Sequence, residues 1–151
     1  MFDPASLLDR ARRKEIEGDE AGAEADFARS AEAGHAAADP SIEVAALAGL
    51  VRIGTAAGRY KSVGAHIDAM GDRLASASVA PIARAEALAE ASLVAIERGN
   101  DATARLEEAI ALAAAEVPTD QSHRTQIRGL IYLAHAARLR GDYAAARDAA
   151  D

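Results

Sequence analysis

The sequence repeats itself at intervals marked by four glycines. Gly18, Gly58, Gly99 and Gly141 each lie in a short polar turn, and they are 40, 41 and 42 residues apart. Three further sets of similar residues, here called columns, follow the same spacing. They stand eleven residues before, seven before and five after each glycine. A fixed period of this size is the signature of stacked repeats, so the chain is predicted to be a repeat array. The columns are Leu7, Leu47, Leu88 and Leu130; Ala11, Val51, Ser92 and Ala134; and Ala23, Val63, Ala104 and Ala146.

The four prolines mark where the first helix of each repeat begins. Proline is tolerated in the first turn of a helix, where its missing N–H would have no helical partner. Glycine at a positive φ ends one helix and lets the next begin soon afterwards. Pro4, Pro40, Pro81 and Pro118 and the turn glycines together predict first helices over about 4–17, 41–57, 81–98 and 121–140. The second helices are predicted over about 20–34, 60–75, 101–116 and 142–151.

Composition favours helices and excludes several classes of function. Alanine, the strongest helix former, supplies 42 of the 151 residues, whereas aromatic residues make up only 3%. The net charge of −7 argues against general nucleic-acid binding, which needs a basic surface. No apolar run is long enough to span a membrane. Because cysteine is absent, disulfides, thiolate catalysis and Cys-ligated zinc are excluded.

The most specific pattern begins at Leu130. It continues through Leu133 and Ala134 to the turn at Gly141 and ends at Ala146. This stretch resembles the tetratricopeptide repeat (TPR), and the resemblance extends over nearly the whole chain. The other three repeats match at Gly18, Ala23 and Phe27; at Leu47, Leu50, Gly58, Tyr60 and Ile67; and at Leu88, Ser92, Gly99, Ala104 and Ala111.

The chain departs from the family pattern in three ways. The bulky residue near the end of each first helix is replaced. Glu108 stands where the third repeat should carry an aromatic residue, which predicts that this helix is displaced by one residue. The period exceeds the usual TPR length of about 34 residues, as in the arrays of kinesin light chains and of bacterial regulators. The replacements at the bulky position are Lys14, Gly54, Ala95 and Ala137.

The expected fold is all-α, an α-α superhelix (solenoid) of about four helix-turn-helix repeats. Residues 1–151 are expected to form a single TPR-like domain with seven or eight helices and no strand. Its repeats should cover about 1–39, 40–80, 81–118 and 119–151, with the last one cut short.

The resemblance also implies a binding surface, because the first helices of TPR pairs line a concave groove. A solvated helix face is the alternative interpretation of the same side chains. A clamp for a peptide carboxylate is not expected, since only one of the five corresponding residues, Leu8, Arg12, Gly49, Glu86 and Glu90, is cationic. The partner-binding candidates in the groove are Arg12, Arg52, Glu86, Glu90, Arg128, Tyr132, His135 and Arg138.

Catalytic signals are missing from the sequence. There is no Gly-rich phosphate loop, nucleophile elbow or cysteine nucleophile. No two of the four histidines are three or four residues apart, so no metal site is predicted, and no cofactor is expected. Glu86 and Glu90 could pair as carboxylates, but they are interpreted as solubilising charges. Arg12, Arg13 and Lys14 are likewise interpreted as a solvated face.

The leading functional prediction is a protein- or peptide-binding scaffold or adaptor that uses the groove and is not an enzyme. The alternative is a ligand- or peptide-sensing regulatory domain of a larger transcriptional regulator or signalling protein. The expected partner is a protein or peptide, with no direct nucleic-acid or membrane contact, in the cytoplasm. Because the last predicted helix leaves an apolar stacking surface uncovered, a homodimer through the C-terminal repeat is a further possibility, with Ile131 and Leu139 in the contact.

Overall fold

A computed structural model describes residues 3–76, 78–142 and 148–149, and every regular element in them is an α-helix. The all-α prediction is therefore confirmed. The predicted helix 142–151 and the column residue Ala146 lie largely outside the described residues. Within the part that is described, no helix combines the length and the hydropathy needed to cross a membrane. The seven helices are α1 (Pro4–Glu17), α2 (Glu20–Ala36), α3 (Pro40–Ala56), α4 (Tyr60–Leu74), α5 (Pro81–Glu97), α6 (Thr103–Ala115) and α7 (Asp120–Leu139).

The turn glycines share one hydrogen-bonding pattern. All four have a positive φ, between 70° and 82°. At Gly18 the amide donates to the carbonyl of Glu15, and the next amide donates to Lys14. The same two bonds recur at Gly58, Gly99 and Gly141. This is the Schellman ending of a helix, which satisfies the last carbonyls and reverses the chain, so the sequence interpretation of these turns is confirmed.

Residues 1–83 form one compact unit. Helix α3 packs against α1, α2 and α4, and it is buried nearly all round, from Val44 to Val51. The predicted packing columns are confirmed here, because their members in the first two repeats are buried. Those members are Leu7, Leu47, Ala11, Val51, Ala23 and Val63.

Residues 84–151 form the second compact unit, in which α6 packs against α7. Ser92 is buried as predicted, but the prediction for Ala104 is wrong, since it is exposed. Leu130 is exposed too, so the leucine column does not extend to α7. One buried apolar cluster of this unit contains Ala89, Ile96, Ala102, Leu106, Ala109 and Ala136.

Helix α6 is displaced by two residues, not by one as the sequence predicted. It begins at Thr103, four residues after its turn glycine, whereas α2 and α4 begin two residues after theirs. Leu106 therefore takes the place that Ala104 was expected to fill, the fourth residue of the helix. Ile110 likewise takes the place of Glu108, and it lies against Gly129 of α7.

Candidate partner-binding site

In the first unit, Arg52 of α3 forms a bidentate ion pair with Glu15 of α1. Its Nε lies 2.5 Å from Glu15 Oε1, and its Nη2 lies 2.6 Å from Oε2. The guanidinium also stands 5.9 Å from the centre of the Phe27 ring of α2. Arg12, the other candidate here, has Nη1 4.0 Å from Asp9 Oδ1. Arg52 thus links neighbouring first helices, and only 16% of its side chain is exposed.

A second ion pair in this unit was not predicted. Asp26 of α2 is 1% exposed, and it accepts two hydrogen bonds of 2.6 Å from Arg10 of α1. Lys14 Nζ lies 2.8 Å from the same carboxylate, so the interpretation of Lys14 as part of a solvated face is wrong. The hydrogen bonds from Arg10 hold the pKa of Asp26 well below its usual range, although burial opposes this shift.

In the second unit, Glu86 and Glu90 of α5 are buried, with 2% and 1% of their surface exposed. The interpretation of these two residues as solubilising charges is therefore wrong. Glu86 accepts a hydrogen bond from the side-chain amide of Gln121 on α7. Buried carboxylates are retained only where hydrogen bonds and opposite charges compensate their lost hydration, and α7 supplies both.

Helix α7 supplies the remaining candidates. The Tyr132 hydroxyl donates to Glu90 Oε2 over 3.0 Å, and Arg128 Nε lies 3.4 Å from Glu90 Oε1. His135 Nε2 lies 3.3 Å from Oε1 of Glu97 at the end of α5. Arg128, Tyr132 and His135 are three and four residues apart, so they share one face of α7. That face holds α5 and α7 together.

Arg138 contacts His135 from the exposed side of α7. Its side chain is exposed, and Nη2 lies 3.0 Å from His135 Nδ1. When Arg138 donates to Nδ1, the proton of a neutral imidazole is on Nε2, which then donates to Glu97. The structure thus places two sets of contacts in succession along α7: Arg128 and Tyr132 against buried Glu90, and then His135 with Glu97 and Arg138.

An apolar face of α7 lies beside these contacts. Ile127 and Ile131 are 57% and 58% exposed, and Leu130 beside them is exposed too. Leu139, the last residue of the helix, is exposed on a different side. Exposed apolar residues that cluster on one element mark interaction sites in soluble proteins. Ile131 and Leu139 had been singled out from the sequence as possible contacts, whereas the extent of the exposed face was not foreseen.

Comparison of the chain with protein-family models, with curated proteins and with solved structures gave no match. The resemblance to the TPR family remains a prediction from the sequence columns.

Proposed function

We propose that this chain is a protein- or peptide-binding helical-repeat scaffold of the TPR type, and that its partner lies along the first helices of the repeats. The observation that carries the proposal is the row of side chains on α7 in which Arg128 and Tyr132 contact buried Glu90, and His135 contacts Glu97 and exposed Arg138. Each side chain along it is held by a neighbour. Groups that are ordered before binding lose little entropy when a partner arrives, so such a face is suited to recognition.

Arg138 is the best residue for testing the proposal, and Arg52 and Arg128 are poor ones. Reversing the charge of Arg52 would set a carboxylate against Glu15, and reversing Arg128 would do the same to buried Glu90. Either change would lower stability and so obscure a loss of binding. Arg138 is exposed and contacts no buried carboxylate, only the ring of His135, so its reversal should leave the fold intact.

The test is affinity capture with the purified full chain, followed by identification of the partner and isothermal titration calorimetry. We expect Arg138→Glu to weaken the measured affinity about tenfold, through lost attraction and added repulsion. Arg98→Glu is the matched control, because Arg98 is exposed in the same unit but does not lie on α7. The proposal fails if no partner binds in the micromolar range or if the two variants lose equal affinity.

A further inference from the structure

The exposed face of α7 has the spacing of a helix-packing seam. Arg124, Ile127, Ile131, Ala134 and Arg138 follow one another at intervals of three, four, three and four residues. This is the interval that keeps side chains in line toward a second helix. The seam is about 21 Å long at 1.5 Å per residue, which is enough for several turns of a partner helix. Its centre is apolar and both of its ends are cationic.

The first repeat shows what occupies the corresponding surface elsewhere in the chain. Leu8 stands ten residues before Gly18, as Ile131 stands ten residues before Gly141. Leu8 is 7% exposed on a helix, α1, against which the next first helix, α3, packs. Ile131 is 58% exposed. The seam on α7 therefore corresponds to the surface of α1 in the first repeat, the helix against which α3 packs.

The charge on α7 is the reverse of the charge on α1. Glu15 stands three residues before Gly18 and binds Arg52 of the incoming helix α3. Three residues before Gly141 stands Arg138. The segment from Gln121 to Leu139 contains three arginines and no Asp or Glu. A helix that packs on the seam of α7 must accordingly present carboxylates where α3 presents a guanidinium.

We propose that the seam Arg124–Ile127–Ile131–Ala134–Arg138 binds an amphipathic helix of a partner protein that is apolar in its centre and acidic at both ends. This inference rests on the proposed scaffold function and specifies the chemistry of the partner. A second copy of α7 fits the seam poorly. Antiparallel packing would oppose Arg124 to Arg138 at both ends, and parallel packing would oppose each arginine to itself.

The test uses two synthetic helical peptides of about 18 residues, or roughly five turns. Both peptides carry Ile at the two central positions that face the seam. One peptide carries Glu at the outermost facing positions and its twin carries Lys there, and the remaining positions are Ala. Binding of the full chain is followed by fluorescence anisotropy at low ionic strength, where surface charges are least screened. We expect the Glu-ended peptide to bind about tenfold more tightly than the Lys-ended peptide.

Three variants assign the binding to the seam. Ile131→Ser should weaken binding about tenfold, whereas Ile16→Ser, an equally exposed isoleucine on α1, should change it less than about twofold. The double variant Arg124→Glu/Arg138→Glu should reverse the preference and favour the Lys-ended peptide. Circular dichroism confirms that each variant is folded.

Equal binding of the two peptides, binding of neither, or equal effects of the two serine variants would overturn the inference. If neither peptide binds but light scattering shows a dimer that dissociates in the Ile131→Ser variant, a second copy occupies the seam and the inference is wrong. A chain that captures a partner but ignores the Glu-ended peptide keeps the scaffold function and loses only this inference.

Discussion

Glycine lets a bulky side chain of one helix lie directly against the next helix. A Cβ atom at Gly49 of α3 would come within 2.6 Å of the Phe27 ring of α2. In the second unit, a Cβ atom at Gly129 of α7 would come within 2.6 Å of Ile110 Cγ1. The repeat columns placed Phe27 correctly but gave no role to these glycines, because a close approach is a property of two helices together.

Gly49→Ala should lower the free energy of unfolding by about 1–3 kcal/mol, since overpacking outweighs the gain in helix propensity. Gly64→Ala is the matched control, because it lies inside α4 with open space around its Cα. This control should be stabilised by about 0.5–1 kcal/mol. Urea denaturation measures both changes, and equal effects would contradict the packing described for Phe27.

Asp26 illustrates what a single sequence conceals at the residue scale. It lies beside Phe27 on the buried face of α2, and the two cations that approach it most closely, Arg10 and Lys14, are one turn apart on α1. The sequence places Asp26 on that face but does not identify its partner. Glu86 and Glu90 were misread for the same reason, since their hydrogen-bond donors come from α7, 35 and 42 residues later.

Asp26 should make stability depend on pH in acid. Its pKa is depressed in the folded chain, so its contribution is complete above the unfolded pKa of about 3.9 and is lost as pH falls below that value. Asp26→Asn should therefore lower stability at pH 7 by about 1–3 kcal/mol and show a shallower loss on acidification from about pH 5 to 2. Urea denaturation across that range tests this, with exposed Asp68→Asn as control. A slope equal to that of the unsubstituted chain would rule out this role.

At the scale of elements, the turns could be predicted from the sequence, but the two-residue displacement of α6 could not. Glycine and proline signals placed the seven described helices to within about two residues, because each signal acts locally. The register of α6 decides which of its alanines are buried. Ala104 and Ala109 are alike in the sequence, but only Ala109 is buried, since the turn after Gly99 is two residues longer than the earlier turns.

The displaced register of α6 predicts opposite outcomes at two positions. Leu106 is fully buried, so Leu106→Ala should cost about 2–5 kcal/mol. Ala104→Ser, on the exposed face, should change stability by no more than about 0.5 kcal/mol. Thermal unfolding followed by circular dichroism compares them. A larger effect at Ala104 would restore the register that the glycine spacing alone predicted.

At the scale of the whole molecule, the residues predicted to line the groove are divided between the two compact units. The repeat register put Glu90, Arg128 and Tyr132 among the candidates on first helices, but it did not predict that Tyr132 and Arg128 contact Glu90. It did not show that these contacts bury the carboxylates and leave Ile127 and Ile131 in water. Burial depends on what covers each helix, which periodicity does not specify.

The central claim is that a partner protein binds along α7. Carbene footprinting of the full chain, free and with its captured partner, measures this directly, because the label reacts with exposed side chains. The account predicts that labelling of Ile127 and Ile131 falls several-fold on binding, while exposed Ile16 of α1 stays labelled. Unchanged labelling of Ile127 and Ile131 in a saturated complex would contradict the account.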